Sequence, residues 1–191
     1  AKPVLLVVGG SQGAEALNSF VLEHSSILLS EFQVLHQTGA EHFERHKKSY
    51  EEMSKSYPET VRRNYRMTPF FVQNMGSALR AADLVVSRAG ANAIAEIAAL
   101  GIPSIIIPIA RSTNDHQSEN AYTYEKAGAC VVIEEENLLI GLFTDSAKRI
   151  IENPAAAQKM SEAAKQFYMP NAAERIAEDI IATATNSSSS Y

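Results

Sequence analysis

The chain has 191 residues, 46% of them hydrophobic, so it can bury a proper core as one domain, or as two small ones. A net charge of -5 without a long basic run argues against nucleic acid as a partner. One cysteine gives no disulfide framework and no zinc spacing, and no apolar run is long enough to span a bilayer. A cytosolic chain, at most held on a membrane surface through a partner, is expected.

Short apolar runs alternate with helical patterns. Val4-Leu5-Leu6-Val7-Val8 reads as a fully buried strand closed by Gly9-Gly10. A helix over residues 12–29 follows, then a strand over 32–36 and a helix over 41–55. The most basic stretch, residues 45–66, is interleaved with Glu51, Glu52 and Glu59 and reads as a solvated helix face. Residues 64–68 form a weak third strand and 75–82 a short helix. A fourth strand over 84–86 leads into a helix that Gly101-Ile102-Pro103 stops, and 104–107 is the fifth strand. A helix over 114–127 precedes the sixth strand, 130–133, which holds Cys130 as a buried residue. From residue 137 onward the pattern is helical, broken at Asn153-Pro154 and Pro170-Asn171, with the last helix ending near 183 and residues 185–191 a disordered tail.

This alternation predicts one α/β domain over residues 1–184, a doubly wound parallel six-stranded Rossmann-like sheet. Ligands of such sheets sit at the carboxyl ends of the strands. The chain opens on Ala1-Lys2-Pro3 without an initiating Met, so it is expected to be a piece of something longer.

Three strand ends carry unusual residues. Gly9-Gly10-Ser11-Gln12-Gly13-Ala14 is a tight strand-to-helix turn whose Ser11 hydroxyl and N–H groups could meet a phosphate. It is neither the dinucleotide fingerprint nor a nucleotide-triphosphate loop. The stretch Ser87-Arg88-Ala89-Gly90-Ala91-Asn92-Ala93-Ile94-Ala95-Glu96 puts small residues at a helix N-terminus, which suits an anionic phosphate. Glu96, sharing a helix face with Asn92, can accept hydrogen bonds from sugar hydroxyls. Phosphate and hydroxyl acceptor together describe a nucleotide site. Asn114-Asp115-His116-Gln117-Ser118-Glu119-Asn120 opens another helix, where the amides of Gln117 and Asn120 suit sugar hydroxyls. Phe70-Phe71-Val72 could cover a flat base. Each stretch also has a structural reading: a tight turn, a surface carboxylate, a capped helix start, core residues. No metal site is expected, because no second His stands at ligand spacing from His116.

Taken in order, Gly-Gly-Ser-Gln-Gly-Ala, Ser-Arg-Ala-Gly-Ala with Glu96 and Gly-Ile-Pro, and Asp-His-Gln-x-x-Asn-Ala resemble the MurG family of bacterial glycosyltransferases. Tyr124-Glu125-Lys126-Ala127-Gly128-Ala129 and Pro170-Asn171-Ala172-Ala173 fit it as well, so the resemblance runs over residues 4–181. It implies the donor-binding, carboxyl-terminal half of a two-domain GT-B enzyme that moves GlcNAc from UDP-GlcNAc to a lipid-linked muramyl-pentapeptide in peptidoglycan synthesis. The family implies Glu96 on the ribose, Gly90, Ala91, Asn92 and Ala93 at the diphosphate with Arg88, Ser11 and Gln12 close by, and Phe71 and Val72 flanking the uracil. Gln117 and Asn120 would read the GlcNAc hydroxyls, with His116 beside them. Asn92 and Ala93 stand where the family has small or hydroxylated residues, and Ala110-Arg111-Ser112-Thr113 blurs the loop before His116.

The resemblance implies no cofactor, and it places the catalytic base and the acceptor-binding half outside this chain. Low activity of the chain alone is therefore expected, with membrane contact only peripheral, on the cytoplasmic face of the inner membrane. Two alternatives stay open: the donor-binding subunit of a split GlcNAc transferase of lipid-linked oligosaccharide synthesis, and a UDP-GlcNAc epimerase domain.

Overall fold

A computed structural model describes residues 2–9, 14–71, 74–109 and 116–188. Its strands are β1 (Val4–Val8), β2 (Gln33–Gln37), β3 (Tyr65–Thr68), β4 (Leu84–Ser87), β5 (Ser104–Ile106) and β6 (Val131–Val132). They form one six-stranded sheet in the order β3-β2-β1-β4-β5-β6, and every pairing is parallel. The expected Rossmann-like architecture is present. The central strands read as unbroken apolar runs because both faces are covered: Leu5, Leu6, Leu84, Val85 and Val86 are all fully buried.

Helices α1 (Glu15–Glu23), α2 (Ser25–Glu31), α3 (Ala40–Met53) and α4 (Glu59–Arg62) lie between β1 and β3. Beyond β3 come α5 (Met75–Ala81), α6 (Ala91–Leu100), α7 (His116–Lys126), α8 (Ile140–Ile151), α9 (Pro154–Phe167) and α10 (Ala172–Ser188). One core joins Leu5 and Val7 to Leu17, Val21, Leu28 and Phe143, from α1, α2 and α8. The other joins Leu6 and Val85 to Leu79, Ile94, Ile97 and Tyr124, from α5, α6 and α7. Successive strand residues point to opposite faces, so Leu5 and Leu6 serve different cores.

Several boundaries differ from the sequence reading. The single helix expected over 12–29 is two, bent at His24 (φ -105, ψ 15), whose ring packs edge-on against Phe20 at 5.0 Å. The bend seats Leu28 and Leu29 in the core and leaves Ile27 in solvent. No Gly or Pro marks it. The last helix runs to Ser188, past the expected end near 183, since its sequence offers no Pro or Gly stop. Gly101 ends α6 as expected, at φ +64, a conformation glycine adopts without strain, and the Ile102 N–H returns to the Ile97 carbonyl at 3.2 Å. Asn153 caps α9 by accepting from the Ala156 N–H at 3.1 Å, with Pro154 in the first turn.

Three buried side chains tie the amino-terminal strands together. Asn18 donates to the Thr38 carbonyl at 2.9 Å, and its Oδ1 lies 3.0 Å from His36 Nε2. An amide oxygen only accepts, so Nε2 carries the proton and His36 Nδ1 accepts from the Tyr65 hydroxyl at 2.7 Å. Burial drives the His36 pKa down from 6.5 to about 3, with the charge of His46 adding to the effect, so the ring is neutral.

Candidate functional site

The strand order reverses between β1 and β4, whose carboxyl ends lie side by side with Val8 opposite Ser87. A crevice at such a switch point is where doubly wound sheets bind ligands. Ser11 and Gln12, which follow β1 in the sequence, lie outside the described residues, as does Val72.

The turn after β4 leads through buried Arg88 and Ala89 to Gly90, the N-cap of α6. No side chain caps this helix, and its first internal bond runs from the Ile94 N–H to the Gly90 carbonyl at 3.0 Å. The N–H groups of Ala91, Asn92 and Ala93 have no partner among the described residues. They sit at the positive end of the helix dipole. A Cβ placed on Gly90 would meet nothing within 4 Å, so the space before the helix is open. Glu96 is exposed on the Asn92 face of α6 and bonds to nothing among the described residues. Helical side chains lean toward the helix N-terminus, which carries the Glu96 carboxylate back toward those free N–H groups.

α7 brings one amide to the same turn and another to the segment after β5. Asn120 donates from Nδ2 to the Ala89 carbonyl at 3.1 Å, and its Oδ1 is left to accept. Gln117 Oε1 accepts from the Ile109 N–H at 3.4 Å, and its amide hydrogens are left to donate. One residue thus presents an acceptor and the other donors. His116 is exposed at the start of α7. Phe71 is half-buried against the second core, and its backbone N–H is held by Gln37 Oε1 at 3.1 Å. Its packing agrees with the core reading made of it.

Arg88 is the exception. Its guanidinium is buried, donates to the carbonyls of Ile107 and Pro108 at 3.2 Å each, and pairs with the Glu135 carboxylate. Arg88, expected close to the diphosphate, thus has its charge already paired with Glu135. The pair instead braces the ends of β4 and β5 against the segment after β6. Glu135 was not singled out from the sequence, because 47 positions separate it from Arg88 and its neighbours Glu134 and Glu136 look alike. Gln37 was missed for a similar reason, being a polar residue inside a strand pattern.

Six parallel strands with an uncapped helix N-terminus at the switch point define a Rossmann-like domain of the GT-B glycosyltransferase type. The chain belongs to glycosyltransferase family 28, whose C-terminal domain matches residues 4–176. It is 37% identical over 176 residues to the UDP-N-acetylglucosamine–N-acetylmuramyl-(pentapeptide) pyrophosphoryl-undecaprenol N-acetylglucosamine transferase of Idiomarina loihiensis, covering 92% of this chain and 47% of that protein. The transferase of the same name from Halalkalibacterium halodurans is 36% identical over the same share of each chain. The crystal structure of Acinetobacter baumannii MurG superposes with a TM-score of 0.76 at 26% identity, over 93% of this chain and 49% of that one. A kitacinnamycin glycosyltransferase, 19% identical with a TM-score of 0.64 over 86% of this chain and 39% of its own, shares the fold alone. The chain spans about half the length of the curated relatives it matches. No helix among the described residues is long and apolar enough to cross a membrane.

Proposed function

We propose that this chain is the donor-holding half of an inverting GlcNAc transferase that acts on a lipid-linked muramyl-pentapeptide. The observation that carries the reading is the uncapped α6 N-terminus at the switch point, with unpaired Glu96 behind it and Asn120 fastened to the same turn. Five residues separate Ala91 from Glu96, a rise of about 7.5 Å at about 1.5 Å per residue, and the carboxylate reaches back along it. That span suits a diphosphate on the free N–H groups and ribose hydroxyls on Glu96. Gln117 donates to, and Asn120 accepts from, the sugar hydroxyls, with His116 beside them. Phe71 and Val72 flank the base, and Ser11 and Gln12 close the phosphate side.

In this reading the chain's chemical task is to stabilise the departing diphosphate. As the glycosidic bond breaks, negative charge grows on the leaving oxygen, and preorganised N–H donors at a helix end lower the barrier without reorganising. The acceptor hydroxyl must lose its proton to a base. That base belongs to the half of the protein outside this chain, as does the peripheral contact with the membrane's cytoplasmic face. The activity named for the relatives supports this acceptor over the lipid-linked oligosaccharide and epimerase alternatives.

Calorimetric titration with UDP-GlcNAc tests the proposal. Wild type is expected to bind, and Glu96→Ala to bind about 1–3 kcal/mol more weakly for its lost charged hydrogen bonds. A folded chain without UDP-GlcNAc binding contradicts it.

A further inference from the structure

On the other face of the sheet, α1 and α3 pack side by side just beyond the carboxyl ends of β1 and β2. Glu15 stands in the first turn of α1, and its Oε1 accepts from the Ser19 hydroxyl at 3.4 Å. The other oxygen, Oε2, lies 3.3 Å from His42 Nδ1 and 3.2 Å from His46 Nε2. His42 and His46 are one helical turn apart, so both rings face Glu15. The three ligand-capable atoms lie within 4.8 Å of one another. Metal–ligand bonds of about 2.0–2.2 Å in a tetrahedral site put neighbouring donor atoms about 3.3 Å apart, which matches both measured edges. His46 is buried and His42 mostly so, which limits how far either ring can wander. The guanidinium of Arg45 also pairs with Glu15 and lies 3.2 Å from His42 Nδ1. Its side chain is 60% exposed, so it can swing into solvent.

We propose that Glu15, His42 and His46 form a binding site for a divalent transition ion such as Zn²⁺, held through Glu15 Oε2, His42 Nδ1 and His46 Nε2 with water completing the shell. Two imidazoles and one carboxylate select a borderline ion over Mg²⁺ or Ca²⁺, which favour all-oxygen sites. Arg45 is the cation that the metal displaces from Glu15. Bound there, the ion clamps the first turn of α1 to α3. The sequence hides this site because His42 and His46 lie in a run of charged residues and Glu15 comes from another helix.

The test is a Co²⁺ titration of the tag-free, chelator-stripped chain, followed by visible absorption and circular dichroism. One equivalent of Co²⁺ is expected to give the intense bands of a tetrahedral ion, and added Zn²⁺ to bleach them. His42→Ala is expected to weaken binding about tenfold or more with an unchanged dichroism spectrum. Arg45→Gln is expected to bind severalfold more tightly, because the competing cation is gone. Absorption that stays that of the aqueous ion, or His42→Ala that binds as wild type does, overturns the proposal and leaves an ion-pair network joining two helices.

Discussion

Gly90 stands before α6 at φ -68 and ψ 136, angles that any L-residue adopts, with open space where its Cβ would be. Neither conformation nor packing asks for glycine there, whereas in the proposed function a phosphate approaches the backbone at this point. Gly90→Ala is therefore expected to unfold at a urea midpoint within about 0.5 kcal/mol of wild type, yet to bind UDP measurably more weakly by calorimetry. Unchanged affinity would put the phosphate elsewhere. His36 makes a prediction about acid. Its unfolded imidazole takes a proton near 6.5 and its folded one only near 3, so the unfolded chain binds more protons between those values. Stability is full above pH 6.5 and falls as the pH drops, by about 2 kcal/mol at pH 5 from this residue alone. Urea midpoints at pH 7 and pH 5, with an imidazole NMR titration in which His36 stays neutral at pH 5, check this. Glu15 adds in the same direction. Burial alone would push its carboxyl up, but the His46 hydrogen bond and the charges of His46, Arg45 and His42 hold it below the ordinary carboxylate value. Its contribution fades as the pH falls through that lowered value.

At the scale of elements, the Arg88–Glu135 pair closes the ends of β4 and β5. Glu135→Gln leaves a buried guanidinium with two carbonyls and no counter-charge. Complete burial would make the loss about 3–5 kcal/mol; Glu135 keeps 25% exposure, so about 2–3 kcal/mol is expected from urea midpoints. A loss below about 0.5 kcal/mol would mean that the pair is solvated. What the sequence made legible, and what it hid, divides along the same line. The strands β1 and β4 were plain because doubly covered strands are continuous apolar runs, and α6 because Gly101-Ile102-Pro103 stops it. Glu96, Gln117 and Asn120 were legible as helix residues near strand ends, a matter of local spacing. Arg88's partner, the His24 bend and the Glu15–His42–His46 cluster depend on residues brought together by tertiary packing, for which no local pattern stands. β6 was placed correctly but is only two residues long, since pairing length depends on its neighbour β5.

At the scale of the whole molecule, the strand order reverses between β1 and β4, and Gly90 and the N-terminus of α6 follow directly from the carboxyl end of β4. The chain spans about half of its relatives, and the half it matches is the C-terminal domain of family 28. In the proposed function a chain of this kind binds donor but transfers slowly. Supplying the amino-terminal half of a relative in trans is expected to raise transfer to a lipid-linked acceptor, measured by radiolabelled GlcNAc incorporation. No gain from a half that demonstrably binds the chain would contradict that division of labour. The claim beneath all of these is that a phosphate rests on the open N-terminus of α6. A ¹⁵N–¹H NMR titration of the chain with UDP tests it most directly. The account predicts that the amide signals of Ala91, Asn92 and Ala93 shift first and furthest, with Gly90 beside them, and that Glu96→Ala weakens the titration without moving its location. Saturable shifts that leave those four amides in place would contradict it.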